Sequence, residues 1–287
     1  MMKTTVKHVL MGCKRKYNSL LDKVNFISVS KLRQELEKMP DYPNSASKRN
    51  QILDLSIRGT AETLIDLNKI LETVPLTIID IDEMFEDKSI NVDFERKIGE
   101  RFRHYGSDKS TIHNYHRVYS RIFALLGAPP KNILEIGLGS NDPDVPSNMG
   151  RRAKPGASIR AWSDLFPECK IIGADIDEKI LFREGNISTF KLDQTSRISW
   201  ESFQKSLFGI EFDLVIDDGL HSPSANLKSL IYGLELLTKS GFLVIEDIHP
   251  RSLPVWTIAL KSLGQSKKYW FLRTSNGLCL VVRNTNV

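Results

Sequence analysis

The sequence is poor in cysteine and has no long apolar run. Its three cysteines, Cys13, Cys169 and Cys279, are odd in number and widely separated, and they form no CxxC pair. This pattern argues against a disulfide framework and a thiolate zinc site, and it favours a reducing compartment. No segment approaches the roughly 18 apolar residues of a membrane span. The apolar run before Cys13 is also shorter than the roughly 7 to 15 residues of a signal core. We therefore expect a cytoplasmic protein without a membrane span.

The sequence also lacks internal repeats, Gly/Ser-rich linkers and low-complexity segments. Its 287 residues, 41% hydrophobic and 26% charged, have an ordinary globular composition. The net charge of +5 is uneven, because residues 1–50 carry eleven basic and four acidic side chains while the rest sums to −2. A solvated helical surface explains this basic region better than an anionic partner does. Aromatic residues do not alternate with the basic ones, so we expect no nucleic-acid binding.

The chain has two parts with different hydrophobic patterns, a helical one and one that alternates between strands and helices. Apolar spacing predicts helices over 30–39, 48–73 and 92–104. After Pro129 and Pro130 short apolar runs alternate with helical segments. The predicted strands are 132–137, 170–175, 187–192, 212–217 and 241–246. The predicted helical segments between them are 157–166, 178–182, 200–207 and 222–237. This alternation is typical of a doubly wound parallel sheet in an α/β fold. Two further runs, 268–274 and 278–283, are joined by a gap too short for a crossover helix and predict a terminal antiparallel hairpin.

The first predicted strand ends in a glycine-rich turn that would suit a small ligand. In a doubly wound sheet, ligands bind beyond the carboxyl ends of the strands. Gly137 and Gly139 permit close backbone approach, but Asp142 stands where GxGxxG would have its last glycine, and its carboxylate would repel a pyrophosphate. A dinucleotide is therefore disfavoured. The same turn could instead be a purely structural one.

The second and third strands end in polar groups that suit an adenosine. Asp175 is placed to bind both ribose hydroxyls, with Asp177 as a competitor for that role, and Asp193 and Gln194 suit an adenine edge. Helix capping or solvation remains the alternative for the two aspartates. Asp175 follows Gly139 by 36 positions, about sixteen more than a nucleotide-binding unit needs. The excess corresponds to residues 141–156, which we interpret as a loop over the mouth of the site.

The fourth and fifth strands end in a concentration of acids. Asp217, Asp218 and His221 follow the fourth strand, and Glu246 and Asp247 end the fifth. Neighbouring parallel strands would bring these groups to one sheet edge, where unpaired negative charge is costly. A hard divalent cation would offset the repulsion, and oxygen ligands favour Mg²⁺ over zinc. A metal-free polar network is the alternative, and Asp217 could brace the pocket without binding the ion.

These motifs resemble those of class I S-adenosylmethionine-dependent methyltransferases, and in particular the metal-dependent sugar O-methyltransferases of macrolide biosynthesis and bacterial glycan clusters. The resemblance spans about residues 105–287: Glu135-Ile136-Gly137-Leu138-Gly139 matches the E/DxGxG motif, with Ser140 at the variable third position, and Tyr105-Gly106-Ser107-Asp108-Lys109 looks like the G[TS]DK segment. It implies a Rossmann-like methyltransferase sheet after a helical N-terminal region, with a boundary between residues 104 and 105.

The resemblance also implies roles for individual residues. Asp218, Glu246 and Asp247 would bind Mg²⁺, and His221 would be the general base, with Asp218 beside it in catalysis. The residues implied to bind S-adenosyl-L-methionine are Glu135, Gly137, Gly139, Ser140, Asp175, Asp193, Gln194, Asp217 and Lys109. The expected function is O-methylation of a sugar or glycan-linked hydroxyl in natural-product, antibiotic or surface-polysaccharide biosynthesis.

Three alternatives remain open at the level of sequence. A metal-independent methyltransferase with another small acceptor is the nearest one. A binding or scaffold protein without saturable cofactor affinity is the second, and an NAD-dependent oxidoreductase is the third. We expect a small-molecule or glycan acceptor as partner, and homo-oligomerisation through the N-terminal helices is a further hypothesis.

Overall fold

The computed structural model describes residues 49–74, 76–84, 91–145, 147–151, 153–263 and 267–285. The helix predicted over 30–39 and Cys13 lie outside these ranges. The chain divides into two compact units, residues 1–70 and 71–287. Helix α1 spans Arg49–Leu71, close to the predicted 48–73, and all but its last residue belongs to the first unit. The functional division between residues 104 and 105 stays a prediction. Among the described residues, no helix is both long enough and apolar enough to cross a membrane.

The second unit is built on one mixed sheet. Its strands are β1 (Ile78–Asp80), β2 (Asn132–Ile136), β3 (Lys170–Asp175), β4 (Arg183–Glu184), β5 (Ile187–Lys191), β6 (Phe212–Asp217), β7 (Leu237–Ile248), β8 (Lys267–Thr274) and β9 (Gly277–Asn284). The order across the sheet is β1-β8-β9-β7-β6-β2-β3-β5-β4. The run β7-β6-β2-β3-β5 is parallel, whereas β9 pairs antiparallel with β7 and β8. The doubly wound parallel sheet and its terminal antiparallel hairpin are therefore confirmed.

The α-helices of this unit are α2 (Val92–Tyr105), α3 (Tyr115–Leu126), α4 (Ala157–Leu165), α5 (Arg197–Ser206), α6 (Pro223–Glu235) and α7 (Leu253–Lys261). Their ends follow local rules. The Asn91 side chain accepts the Phe94 N–H at 2.9 Å at the start of α2, and Gly106 ends that helix with a φ of 85°. Ser196 and Ser222 cap α5 and α6 in the same way.

An aromatic cluster fixes α2 and α3 against α4. The ring of Trp162 lies 4.8 Å from Phe102, 4.9 Å from Tyr119 and 5.7 Å from Phe123, measured between centroids and in edge-to-face geometry. All four side chains are buried. Because aromatic pairs at these spacings add to the hydrophobic gain from burial, the cluster holds α3 in one orientation. Tyr115 and Tyr119 of α3 thereby reach the carboxyl end of β7.

Most sequence-predicted elements are found within a few residues of their predicted bounds. Strands β3 and β6 have the predicted bounds, but β7 is twelve residues long and begins at Leu237. The sequence pattern instead places Leu237 at the end of a helix. The segment predicted as helical over 178–182 is a 3-10 turn, Glu178–Ile180. The short strands β1 and β4 and the bounds of α3 are not predicted individually by the sequence.

Candidate active site

One cavity of about 360 Å³ opens at the carboxyl ends of the parallel strands. It is lined by residues that follow β2, β3, β5, β6 and β7, as the topology of a doubly wound sheet requires. Two other segments complete its wall. One is the turn between α2 and α3, with Ser107, Lys109 and His113, and the other is the loop predicted to cover the site, with Ser147, Met149 and Lys154.

The glycine-rich turn after β2 sits tightly against the end of β6. Gly137 has a φ of 90°, and a Cβ atom there would lie 2.5 Å from the Asp218 carbonyl carbon and 2.6 Å from Gly219 Cα. Gly139 has a φ of 81°, and its missing side chain leaves room for the Met149 sulfur. Only glycine meets both demands, a left-handed backbone and no side chain. The turn therefore brings backbone amides to the cavity wall.

Asp175 fixes that turn from the neighbouring strand. Its Oδ2 accepts the Leu138 N–H at 2.7 Å and its Oδ1 accepts the Asp177 N–H at 2.9 Å. Asp175 lines the cavity, whereas Asp177 does not belong to its wall and instead bonds Ser140 Oγ and the Lys179 N–H. Of the two candidates for a ribose contact, Asp175 is thus the one that faces the cavity.

Asp193 and Gln194 are placed at the end of β5 as the sequence predicts. The Asp193 carboxylate accepts the Thr195 N–H and hydroxyl, and the residue lines the cavity without capping a helix. The Gln194 amide is held by protein partners: it donates to Asp217 Oδ1 at 2.6 Å and accepts the Leu220 N–H at 2.8 Å. Asp217 is fully buried, lies behind the cavity wall, and also accepts from Asn226 at 2.9 Å. Asp217 and Gln194 therefore brace the end of β6.

A buried lysine lies among the acids. The Lys109 ammonium is 2.6 Å from Asp218 Oδ2, in hydrogen-bond contact with Glu246 Oε2, and 3.7 Å from Glu135 Oε1. Its side chain is 2% exposed. Glu135 is fully buried behind the cavity wall and accepts hydrogen bonds from Ser158 Oγ and from Trp162 Nε1 at 2.7 Å. Lys109 thus meets carboxylates from the ends of β2, β6 and β7.

Two tyrosines hold the acids at the end of β7. Tyr119 donates its hydroxyl hydrogen to Glu246. Tyr115 donates to Asp247 Oδ1 at 2.8 Å, and its oxygen accepts the Asp247 N–H at 2.9 Å. Asp247 has a φ of 51°, a left-handed backbone that is strained for a non-glycine residue. The two bonds from Tyr115 hold Asp247 in this conformation.

One group of side chains has the geometry of a cation site. Ligand atoms of Asp218, His221 and Asp247 all lie within 4.8 Å of one another. His221 Nε2 is 3.9 Å from Asp218 Oδ1 and 3.8 Å from Asp247 Oδ2. Glu246, which the sequence placed among the metal ligands, is directed to Lys109 and Tyr119. His113 stacks on Tyr115, and its Nδ1 lies 3.4 Å from Asp247 Oδ1.

Burial and charge act together on the titratable groups of the cluster. Burial works to lower the pKa of Lys109, but the carboxylates of Asp218, Glu246 and Glu135 raise it well above its ordinary value. Burial also works to raise the pKa of Asp218, but Lys109 and His221 lower it below the usual range. Burial raises the pKa of Glu246 strongly and that of Glu135 less so. One ammonium therefore keeps Asp218 ionised among three acids.

The cavity wall contains most of the predicted site residues: Lys109, Gly137, Gly139, Ser140, Asp175, Asp193, Gln194, Asp218, His221, Glu246 and Asp247. Glu135 and Asp217 lie behind it. Sequence reasoning missed Tyr119, which holds Glu246. Its spacing of four residues from Tyr115 in an amphipathic helix was the available signal. None of these contacts tests the binding and catalytic roles, which stay predictions.

No protein-family model matches the chain. Among curated proteins it is 30% identical over 174 residues to an 8-demethyl-8-alpha-L-rhamnosyl tetracenomycin-C 2'-O-methyltransferase of Streptomyces olivaceus, with 61% of this chain and 43% of that protein covered. It is also 30% identical over 146 residues to an L-olivosyl-oleandolide 3-O-methyltransferase of Streptomyces antibioticus, with 50% of this chain and 35% of that protein covered. The chain thus spans less than half the length of the curated relatives it matches.

A solved structure shares the fold. It is the MycE methyltransferase of the mycinamycin biosynthetic pathway in complex with Mg, SAH and mycinamycin VI, with a TM-score of 0.53 and 22% identity over 66% of this chain and 53% of that one. The resemblance to sugar O-methyltransferases of macrolide biosynthesis, predicted from the motifs, is confirmed, and the curated relatives add one from a tetracenomycin pathway.

Proposed function

We propose that this chain is an S-adenosylmethionine-dependent, Mg²⁺-binding O-methyltransferase that acts on a sugar or glycan-linked hydroxyl. The observation that carries the proposal is one cavity, whose wall contains both the glycine turn after β2 with Asp175 and the group Asp218, His221 and Asp247. The names of the curated relatives, which describe methylation of sugar hydroxyls in antibiotic pathways, support the substrate class.

The residues of the cavity fit both S-adenosylmethionine and Mg²⁺. The tight backbone turn at Gly137 and Gly139 and the cavity-lining Asp175 suit an uncharged adenosine, which needs close backbone approach and a ribose acceptor. Two carboxylates and an imidazole within 4.8 Å of one another suit a divalent cation. We infer that Asp218 and Asp247 would hold Mg²⁺, with Glu246 beside them, and that Asp175 and Asp193 would bind the cofactor. When bound, the sulfonium supplies the methyl group and Mg²⁺ orients and acidifies the acceptor hydroxyl.

The chain itself has to remove a proton and align the acceptor. A sugar hydroxyl is a poor nucleophile until a base takes its proton. His221 Nε2 is partly exposed in the cavity, and the charge it gains on taking that proton would face Asp218 Oδ1 and Asp247 Oδ2. The loop residues Met149 and Lys154 line the mouth and would limit the access of water to the acceptor.

Calorimetric titration with S-adenosylhomocysteine tests the cofactor assignment. We expect saturable one-site binding that Asp175→Ala weakens, because that change removes the inward-facing carboxylate and the bond to Leu138 N–H. Asp164→Ala is the matched control, since Asp164 pairs with Arg101 away from the cavity wall. Absence of binding in the wild type would remove the methyltransferase proposal and favour the scaffold alternative.

A second experiment separates a base from a metal ligand at position 221. If His221 is the base, His221→Ala keeps S-adenosylhomocysteine and Mg²⁺ binding and loses turnover, whereas a ligand role predicts weaker Mg²⁺ binding. His249→Ala is the control, because the His249 side chain accepts the Arg251 N–H outside the cavity wall. Loss of methyl transfer in chelator, restored by MgCl₂, would retire the metal-independent alternative.

A further inference from the structure

The Asp218 carboxylate is shared between two environments. Its Oδ2 faces the buried Lys109 ammonium at 2.6 Å, and its Oδ1 faces His221 Nε2 at 3.9 Å in the open cavity. Glu246 is shared differently, because its two oxygens are taken by Lys109 and by the Tyr119 hydroxyl. Asp218 Oδ2 is therefore bonded to a buried protein group, whereas Oδ1 faces the cavity.

Lys109 reaches this position from outside the sheet. It belongs to a 3-10 turn, Asp108–Ser110, between α2 and α3, and Ser107 Oγ accepts the Lys109 N–H at the start of that turn. The ammonium meets acids from three different strands, yet only 2% of the side chain is exposed. A bound ligand would compete with Asp218 and Glu246 for this ammonium, and breaking either ion pair in a largely buried site is costly.

We propose that Lys109 is a positioning residue of the metal site, a built-in cation that fixes Asp218 and Glu246 and weakens the site's affinity for a divalent cation. The inference rests on the metal-binding part of the proposed function. The direct cofactor contact expected of Lys109 from sequence stays a prediction, since Lys109 lines the cavity. Without this ammonium, Glu135, Asp218 and Glu246 would repel one another when no metal is bound, whereas with it Asp218 Oδ1 stays directed to the cavity.

The sign of the effect on metal affinity makes the proposal testable. An ammonium bonded to a metal ligand repels a divalent cation, so Lys109→Met should tighten Mg²⁺ binding by roughly tenfold or more. A lysine with a purely structural role predicts the opposite, since its loss would loosen the ligands. The measurement is titration of the whole 287-residue chain with MgCl₂, monitored by calorimetry and by the Mg²⁺-dependent rise in melting temperature. Lys179→Met is the matched control, because Lys179 forms an exposed ion pair with Asp142 at 2.6 Å, and it should leave both readouts unchanged.

A double variant covers the case in which Lys109→Met does not fold. Lys109→Met/Glu135→Gln removes one positive and one negative charge, so Mg²⁺ affinity should stay close to that of the wild type. Unchanged or weaker Mg²⁺ binding in Lys109→Met, or loss of binding in the double variant, would overturn the inference and leave the proposed function intact. Absence of a Mg²⁺ response in every variant would overturn the metal site and the inference together, whereas a response that appears only in Lys109→Met would support the inference.

Discussion

Replacing Gly137 by alanine tests whether the glycine turn and the end of β6 form one tight unit. The new Cβ would lie 2.5 Å from the Asp218 carbonyl carbon and 2.6 Å from Gly219 Cα. These are backbone atoms, so they cannot rotate away as the end of a side chain would. The end of β6 would have to shift, and Asp218 would shift with it.

The expected loss in the free energy of unfolding of Gly137→Ala has two parts. A left-handed φ of 90° costs an alanine about 1–2 kcal/mol. Forcing an extra methyl group into a packed site adds about 1–3 kcal/mol. Gly127→Ala isolates the first part, because Gly127 has a similar φ of 71° at the end of α3 but no atom within 4 Å of the position that an alanine methyl would take. We therefore expect Gly137→Ala to lower the free energy of unfolding by about 2–5 kcal/mol and Gly127→Ala by about 1–2 kcal/mol.

Urea denaturation measures both losses, and calorimetry with S-adenosylhomocysteine measures the functional consequence. Gly137→Ala should lose cofactor affinity, while Gly127→Ala should retain it. Equal stability of the two variants would refute the argument that Gly137 is packed against β6. Wild-type cofactor affinity in a folded Gly137→Ala would refute the argument that this turn forms the cofactor wall.

Two further predictions concern groups away from the reacting atoms. Burial raises the pKa of the Cys169 thiol from its ordinary value of 9.0 to about 12. Between these two pH values the native protein keeps a thiol proton that the unfolded chain releases. The stability that this group contributes is therefore lost as the pH rises from about 9 to about 12. Alkylation at pH 8 followed by peptide mass spectrometry should leave Cys169 unmodified until urea is added, and native-state labelling would contradict its burial. Arg121 is 2% exposed, whereas its partners Asp82 and Glu95 are 63% and 20% exposed and both also pair with Arg117. Arg121→Met should therefore cost about 1–3 kcal/mol in urea denaturation, whereas the same change at the exposed Arg96, paired with Glu100, should leave stability nearly unchanged. Equal losses would contradict the importance of the buried guanidinium.

The sheet could be predicted from sequence because its strands are short apolar runs with clear ends. Strand β6 reads as five buried or half-buried residues followed by acids, and it forms over the predicted residues. Strand β1 escaped prediction, since its three residues form a strand through parallel pairing with β8, which lies far along the chain. The first four residues of β7 escaped for a related reason, because Leu237 pairs with Phe212 across a bulge in the register.

The sequence could predict which strand-end residues lie together in the candidate site, but it could not predict which partners their side chains bond. Strand-end positions place Asp175, Asp218 and Asp247 at one edge because parallel strands end together. The partner of each carboxylate depends instead on side chains from outside the sheet. Lys109 and Tyr119 arrive from a turn and a helix whose positions are set by the aromatic cluster around Trp162, and no periodicity in the sequence encodes that docking.

This division explains why the structure assigns Lys109 and Glu246 to a different environment from the one the motif implied. A sequence motif shows that a lysine and several acids occur in a given order along the chain, but it does not show which of them form ion pairs in the folded protein. Pairing depends on burial, because Glu135 and Glu246 have almost no access to water and, with the partly exposed Asp218 beside them, need a counter-charge whether or not a metal is bound. Lys109 supplies that charge within hydrogen-bond reach. The fold therefore holds the proposed metal ligands before any ion binds, and under our proposal this fixed ammonium lowers their affinity for the ion.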